Sequence, residues 1–380
     1  MIVGAGIGGL AAAIALGRAG WDVRVFERAA SPRELGFALL LAPNAMHALG
    51  ALGLAETARR GGAVATSGEM RRPDGTILRR FDTAAARALL QEDAVCILRP
   101  VLHGALLDAV GLDSIDLSAE ALGFISSPEG VELTLTGGKT ARGAILVGAD
   151  GVGSVVRRQL HPSQPSPRPS GLLAIRGVAR DVIQHLGGSS GAQYFGCGFE
   201  AGVARAGDRE VYWYMSLRAD QADGLREPIP LAERFASRFH EPFQRIVRAT
   251  PPDETRLDEL FASDPIDDWG RGPVTLLGDA AHPMLPHAGQ GAAQALEDAV
   301  ALGAVLRDAA DQVAVDAALR RYERVRAART RKVVEVASRN ARMGSVGSAP
   351  LCWMRDQMIR SIPQSFILKS LVAFGRPDTP

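Results

Sequence analysis

The chain has 380 residues, of which 47% are apolar and 22% charged, a composition typical of a soluble globular protein. Its 43 lysines and arginines balance 42 aspartates and glutamates, and the net charge of +1 excludes recruitment of nucleic acid by a global positive field. The length exceeds what one simple core needs and predicts two closely packed domains.

The cysteines and the hydropathy indicate in which cellular compartment the protein is expected. Cys96, Cys197 and Cys352 are widely spaced and form no CxxC pair, which indicates reduced thiols in the cytoplasm and no zinc or other metal site. No run of about 18 uninterrupted apolar residues is present, which argues against stable membrane insertion. Only three residues precede the first glycine, fewer than a first strand usually has, so we expect that a few residues have been lost from the start.

The chain opens with a strand, a glycine turn, a helix and a second strand. Residues 1–3 are apolar, residues 4–9 read GAGIGG, residues 10–19 have helical apolar spacing, and residues 21–27 alternate like a strand. This order predicts a βαβ unit at the start of the chain.

The glycines of this turn have a physical role. Gly4 permits the tight turn, Gly6 lets the backbone approach a pyrophosphate, and Gly9 lets the helix pack on the strand. Glu27 ends the second strand, where a carboxylate accepts hydrogen bonds from an adenosine ribose. The pattern predicts a dinucleotide site; the alternative is a βαβ turn with a chance acidic residue.

The later elements follow from periodicity and from the positions of proline and glycine. They are a helix over 43–60, a helix over 101–110 after Pro100, a hairpin of 121–126 and 131–136, a strand over 144–147, a linker over 161–170, a strand-rich region over 172–217, a strand over 274–277, helices over 291–308 and 313–342, and a terminal amphipathic helix over 351–373.

Two further strings place an aspartate after a strand. Residues 148–157 (GADGVGSVVR) contain Asp150, and residues 276–283 (LLGDAAHP) contain Asp279. The N-terminal glycines fit FAD and NAD equally. The second string favours FAD, because a carboxylate in this position lies beside the cofactor and can hold a ribityl hydroxyl.

The segment after Asp279 is rich in glycine. Gly289, Gln290 and Gly291 precede a helix that begins near Ala292. The glycines allow backbone amides to lie against a ring edge, and the positive end of the helix would stabilise negative charge on a reduced flavin. The alternative is a plain strand-to-helix loop.

In this order and spacing, the three strings resemble the single-component FAD-dependent monooxygenases of the para-hydroxybenzoate hydroxylase type. The short branch of salicylate hydroxylases, urate hydroxylases and zeaxanthin-epoxidase-like enzymes is the most similar, over residues 1 to about 340. Residues 36–54 match the family segment that lies along the flavin, and Arg99 matches an arginine that reaches FAD. The implied cofactor-binding residues are Gly4, Gly6, Gly8, Gly9, Glu27, Arg28, Leu40, Arg99, Asp150, Asp279, Gly289, Gln290, Gly291 and Ala292.

The resemblance implies an α/β fold, with a Rossmann-type FAD-binding domain, an interleaved β-sheet substrate domain and C-terminal helices. Residues 1–165 and 265–342 would form the FAD-binding domain, with part of 60–95 on the substrate side. Residues 171–264 would form the substrate domain, and residues 343–380 a C-terminal helical segment.

The implied chemistry uses FAD, NADH or NADPH, and O₂. A flavin C4a-hydroperoxide would hydroxylate or epoxidise an aromatic or polyene small molecule, so the cofactor carries the difficult step and no side-chain nucleophile is expected. Pro286 would lie near the reactive edge of the flavin. His287 is expected either to polarise the substrate or move a proton, or to serve in packing.

The middle sheet is expected to supply a wall of the substrate pocket. Tyr194, Tyr212 and Tyr214 concentrate aromatic side chains there, and Arg176 could pair with an anionic substrate. For each tyrosine the alternative is core packing, and for Arg176 it is a solvated face.

Other motifs are set aside. Residues 187–191 match GxSxG but lack the strand before and the helix after that a nucleophile elbow needs. The arginine-rich helix around 318–332 is interpreted as a solvated face, because Glu323 is interleaved at the helical period, with no nucleic-acid partner expected. Two alternative functions stay open: an FAD-dependent reductase of the same fold, and a non-catalytic protein that sequesters a flavin or ligand. The substrate, and a monomer versus a homodimer, also stay open.

Overall fold

The computed structural model describes residues 1–32, 36–127, 129–309 and 311–376. Within these ranges the strands are β1 Ile2–Val3, β2 Val25–Phe26, β3 Ala38–Leu41, β4 Gly62–Ala65, β5 Ser67–Arg71, β6 Ile77–Asp82, β7 Ala94–Leu98, β8 Ile115–Asp116, β9 Ala121–Ser127, β10 Gly130–Leu135, β11 Thr140–Gly143, β12 Leu146–Gly148, β13 Arg168–Arg180, β14 Gly191–Phe195, β15 Phe199–Arg205, β16 Glu210–Arg218, β17 Thr255–Ala262 and β18 Val274–Leu276. The helices are α1 Ile7–Arg18, α2 Pro43–Ala51, α3 Ala55–Gly61, α4 Ala84–Leu90, α5 Arg99–Val110, α6 Val155–Leu160, α7 Pro228–Ala236, α8 Glu241–Arg248, α9 Gly291–Leu306, α10 Gln312–Gly344, α11 Ala349–Ser361 and α12 Gln364–Gly375.

A parallel sheet with strand order β18-β12-β1-β2-β8 forms the centre of the first layer. Ile2 pairs with Val147 on one side and with Val25 on the other, and β12 pairs with β18 in the same direction. Apolar α1 packs on this sheet and against α9. Because the carboxyl ends of parallel strands meet at one edge, the chain segments that follow β1, β12 and β18 emerge side by side.

A seven-stranded sheet with strand order β17-β13-β16-β15-β14-β5-β6 forms the second layer. Its pairs are antiparallel except for β14 and β5, so the last two strands come from residues 67–82, well before the rest. One face buries Trp213 and Met215 against Phe235 and Phe243 of α7 and α8. The other face carries Tyr212 and Tyr214, because side chains alternate along a strand.

Several predicted elements are confirmed. The predicted hairpin is present as β9 and β10. The predicted helices over 10–19, 101–110, 291–308 and 313–342 are present as α1, α5, α9 and α10. The hairpin turn includes Pro128, which lies outside the described residues. None of the described helices offers the long apolar stretch that crossing a bilayer requires.

Other predictions need correction. The helix over 43–60 is two helices, because Gly53 adopts φ +71° and the Leu54 N–H returns to the Leu49 carbonyl. The terminal helix breaks at Pro363, which cannot continue an α-helix. The strand over 21–27 is reduced to β2, and β13 begins inside the predicted linker, at Arg168. β15 lies within the predicted strand-rich region over 172–217, although no separate strand was predicted there.

Candidate active site

The glycine turn after β1 contacts the other two strings directly. A Cβ on Gly4, which has φ +101°, would lie 2.5 Å from the Ala149 carbonyl oxygen, next to Asp150. A Cβ on Gly8 would lie 2.8 Å from the Leu277 side chain, two residues before Asp279. The three strings, far apart in the chain, therefore converge at one edge of the parallel sheet.

The start of α1 is open to an anion. Gly6 precedes the helix with no side-chain cap, and the first turn carries no acidic residue. A Cβ on Gly9 would lie 1.9 Å from the Gly4 carbonyl oxygen, so only glycine allows this close turn. Uncapped N–H groups and the positive helix end together suit a phosphate group.

Glu27 reaches back to this turn. One of its carboxylate oxygens accepts a hydrogen bond from the Ala5 N–H at 2.8 Å, and the other accepts one from the Ala29 N–H at 2.8 Å. Arg28 is exposed beside it. Each carboxylate oxygen retains a lone pair, so the carboxylate keeps capacity to accept a bond from a hydroxyl group.

Asp150 leaves one acceptor without a partner. Its Oδ2 accepts the Val155 N–H at 2.7 Å, whereas its Oδ1 is buried and has no hydrogen-bond partner. A buried, unsatisfied carboxylate oxygen is costly, and a ligand that donates a hydrogen bond would relieve that cost. The orphaned oxygen lies beside the glycine turn, as a bound dinucleotide would require.

Asp279 is exposed at the edge of the parallel sheet where the three strings converge, the region here called the cleft. It follows Gly278, which has φ +62°, and it is accessible from the cleft. Burial raises the pKa of Asp279 above its ordinary value, and the charges of His282 and Arg99 oppose this rise. Arg99, at the start of α5, thus shares an electrostatic environment with Asp279.

The loop before α9 has backbone groups on its open side. Pro286 and Gly289 are exposed, Gly289 has φ +62°, and α9 begins at Gly291 without a side-chain cap, followed by half-buried Ala292. The Gln290 side chain is turned inward, and its Oε1 accepts bonds from Asn44 at 3.0 Å and from Gln294 at 3.1 Å. The side-chain oxygen of Gln290 is therefore occupied within the protein.

Tyr212 and Tyr214 form an aromatic wall. Their rings stack with centroids 6.1 Å apart, and the Phe37 ring lies 6.4 Å from Tyr212. Both tyrosines are half-buried, and Arg176 is the cross-strand neighbour of Tyr214 on the same face. Arg176 lies 3.8 Å from Asp258, a loose ion pair. Leu40 lies exposed on β3, where it pairs with Cys96.

Tyr194 does not join this wall. Its ring lies on the opposite face of the sheet, edge-on to Phe239 and Phe243, and its hydroxyl lies 2.9 Å from His240 Nε2. Strand alternation separates it from Tyr212 and Tyr214, and this register was not visible from residue type. The expectation that Tyr194 lines the substrate pocket is therefore corrected.

His287 places its side chain against the face of the seven-stranded sheet that carries Tyr212 and Tyr214, because Ser216 lies on that same face of β16. The imidazole is 3% exposed, with Nε2 3.0 Å from Ser216 Oγ and 3.7 Å from Glu200. Burial lowers the pKa of His287 to about 4, with a further contribution from Arg176, so the ring is neutral near pH 7. This placement ties the Pro286 turn to the substrate sheet, and it leaves His287 Nδ1 buried without a hydrogen-bond partner.

Glu200 is a second buried group that sequence analysis missed. Burial raises the pKa of Glu200 to about 7, while the Gln193 hydrogen bond and the charge of Arg355 oppose the rise. Because the folded state disfavours the charged carboxylate, stability present below the ordinary pKa of 4.5 is lost as pH rises toward 7.

We therefore expect Glu200→Gln to become more stable relative to the unsubstituted protein between pH 5 and pH 8. The raised pKa of Glu200 corresponds to a change of roughly 3 kcal/mol in the difference between the two unfolding free energies, at about 1.4 kcal/mol per pKa unit. Thermal unfolding of the FAD-loaded proteins at both pH values measures this gap, with exposed Glu233→Gln as the control. An equal gap at both pH values would contradict the shifted ionisation.

A buried ionic network supports the Asp279 turn. Asp298 accepts bonds from the Gly278 N–H at 3.0 Å and from Arg326 Nε at 2.7 Å, and His282 Nε2 lies 2.6 Å away. Burial alone would raise the pKa of Asp298, but the charges of His282 and Arg326 lower it.

This network corrects the interpretation of the arginine-rich helix. Arg326 and Glu323 are buried, so that stretch of α10 is not a uniformly solvated face. The sequence of α9 could have indicated this burial, because Glu297 and Asp298 interrupt an alanine-rich apolar run. Buried carboxylates need cationic partners.

Comparisons with known proteins agree with this geometry. A family model described as an FAD binding domain matches residues 1–337. The chain is 35% identical over 363 residues to the aurachin C monooxygenase/isomerase of Stigmatella aurantiaca, covering 95% of this chain and 93% of that protein. It is 34% identical over 350 residues to 3-hydroxybenzoate 6-hydroxylase 1 of Aquipseudomonas alcaligenes, covering 88% and 86%. The crystal structure of Klebsiella pneumoniae HpxO complexed with FAD and uric acid matches with a TM-score of 0.91 at 28% identity, covering 98% and 96%.

Proposed function

Because this chain belongs to the family of FAD-dependent aromatic monooxygenases, we propose that it uses NADH or NADPH and O₂ to hydroxylate a small aromatic molecule. The observation that carries this proposal is that the glycine turn, the Asp150 string and the Asp279 string converge beside the aromatic wall of Tyr212 and Tyr214. The converging strings suit the cofactor, and the aromatic wall suits a planar ring.

The residues present fit FAD. The glycine turn leaves no room for side chains, and Asp150 Oδ1 lacks a hydrogen-bond partner. We assign the pyrophosphate to the start of α1, the adenosine ribose to Glu27, and the ribityl chain to Asp279. FAD, when bound, supplies the electron transfer between the nicotinamide and O₂.

The substrate side is assigned to the seven-stranded sheet. We propose that Tyr212 and Tyr214 stack against the aromatic ring and that Arg176 faces a polar or anionic substituent. This assigns residues 1–165 and 265–342 to cofactor binding, and residues 171–264 with strands from 60–95 to substrate binding. The chain thereby positions the ring and excludes water.

Pro286 and His287 have different roles in the turn before α9. We assign exposed Pro286 to the wall of the oxygen pocket, and His287 to positioning of the turn, because its Nε2 lies 3.0 Å from Ser216 Oγ on the substrate sheet. Loss of that contact would free the turn that precedes α9.

Oxygen dependence tests the proposed function. The FAD-loaded protein is mixed with NADH or NADPH and with a panel of phenolic acids, purines, quinolones and polyketides. We expect one aromatic compound to stimulate nicotinamide oxidation and to gain one oxygen atom from labelled O₂. Tyr214→Ala should raise KM for that compound, whereas Tyr194→Phe, on the opposite face, should not.

Two results would contradict the proposal. Reduction of the compound without O₂ consumption would indicate a reductase. Tight binding of flavin and compound without any turnover would indicate a sequestering protein. Both outcomes leave FAD binding intact, so they are distinct from failure of the cofactor site.

A further inference from the structure

Helix α11 buries an ion pair while it exposes large apolar side chains. Its inward side carries Arg355 and Asp356, which are buried; Arg355 donates to the Gly196 carbonyl at 2.9 Å and to Asp356 at 3.0 Å. Cys352 and Ile359 are buried beside this ion pair, whereas four large apolar residues of the helix are exposed together with Arg360. A helix that merely covered the protein would bury its large apolar residues.

The exposed apolar residues of this C-terminal segment are here called the C-terminal apolar surface. Among the described residues, fifteen large hydrophobic side chains are exposed, and five of them fall between positions 351 and 366. Each is at least 50% exposed. They are Leu351, Trp353, Met354 and Met358 on α11 and Phe366 on α12.

Helix α12 adds further apolar side chains that keep solvent contact. It packs on α4 and α2, yet only Gly375 of the helix is buried, so its long apolar side chains all keep solvent contact. Exposed apolar residues concentrated in this way mark an interaction surface, whereas single exposed apolar residues are ordinary.

The charge around this surface has one sign. Arg360, Lys369 and Arg376 are exposed, and Asp356 is the only acidic residue from 349 to 376. Asp356 is already paired with Arg355 and lies 3.5 Å from Arg72. The segment is therefore cationic, although the whole chain is nearly neutral.

This charge distinguishes between two occupants. A second copy docking about a two-fold axis would place the same cationic patch against itself. An anionic bilayer surface complements the cations, and its headgroup region accommodates Trp353 and Phe366 beside them. We propose that the C-terminal apolar surface binds peripherally to an anionic phospholipid bilayer.

Vesicle binding tests this proposal with the full FAD-loaded chain. Vesicles of phosphatidylglycerol and phosphatidylcholine in equal parts are compared with phosphatidylcholine alone by co-sedimentation. We expect binding to the anionic vesicles, weakened about 10-fold by the double variant Trp353→Ser/Met354→Ser, because surface binding scales with buried apolar area. Arg360→Glu/Lys369→Glu should also weaken it. Val313→Ser, which alters an 80% exposed side chain on α10, should leave binding unchanged.

Tryptophan fluorescence gives a second readout. Trp213 and Trp269 are buried and Trp21 is half-buried, so Trp353 is the exposed tryptophan. Anionic vesicles should shift its emission to shorter wavelength, and Trp353→Phe should bind but lose the shift. The proposal is overturned if the protein does not sediment with anionic vesicles, or if Trp353→Ser/Met354→Ser sediments as well as the unsubstituted chain. It is also overturned if that double variant abolishes a concentration-dependent dimer in place of vesicle binding. Retained flavin absorbance verifies that each variant is folded.

Discussion

Arg326→Met should lower the free energy of unfolding by about 3–5 kcal/mol, because removing one partner of a buried ion pair leaves uncompensated charge. Arg326 is fully buried and donates to Asp298 at 2.7 Å, to Glu297 at 2.8 Å and to Gln294 at 2.7 Å. Denaturant unfolding at a fixed excess of FAD measures the loss, because bound ligand stabilises the folded state.

Two further variants make the result specific. Arg324→Met removes an exposed arginine from the same helix and should change stability by less than about 0.5 kcal/mol. Arg326→Met/Asp298→Asn removes both charges and should be more stable than Arg326→Met alone. If the free energy of unfolding of Arg326→Met lies within about 1 kcal/mol of that of the unsubstituted protein, the network does not support this region.

Asp279→Ala should weaken FAD binding about 10- to 100-fold, the loss expected when a charge-assisted hydrogen bond of roughly 1.5–3 kcal/mol is removed. Asp279 lies at the carboxyl end of β18 and is accessible from the cleft, and the positive charge of Arg99 opposes the rise of its pKa on burial. Quenching of FAD fluorescence on titration with the protein measures the dissociation constant.

The matched variant is Asp208→Ala, which removes a fully exposed carboxylate from a loop of the other sheet. It should bind FAD as tightly as the unsubstituted chain. Asp279→Asn keeps an acceptor oxygen, so its loss should be smaller than that of Asp279→Ala. Equal affinities for Asp279→Ala and Asp208→Ala would remove Asp279 from the cofactor site.

The convergence of the strings could be predicted because it depends on local patterns. Gly4, Asp150 and Asp279 each follow a short apolar strand, and parallel strands deliver their carboxyl ends to one edge. The helix starts at Pro43, Arg99 and Gly291 likewise follow from local proline and glycine signals.

What could not be predicted depends on contacts between distant segments. Whether Tyr194 faces the cleft or α8 is set by strand register, which a single strand does not reveal. Arg326 lies in a stretch that alternates charge like a solvated helix, and only the position of Asp298 on α9 explains its burial. Glu200 lies in β15, whose small residues carry a weak strand signal.

A crystal structure of the FAD-loaded protein would show where the cofactor lies. We expect one FAD whose pyrophosphate lies at the start of α1, whose adenosine ribose contacts Glu27, and whose ribityl chain contacts Asp279. Electron density for FAD that lies away from this edge, or that touches Glu27 while leaving Asp279 in solvent, would contradict this expectation.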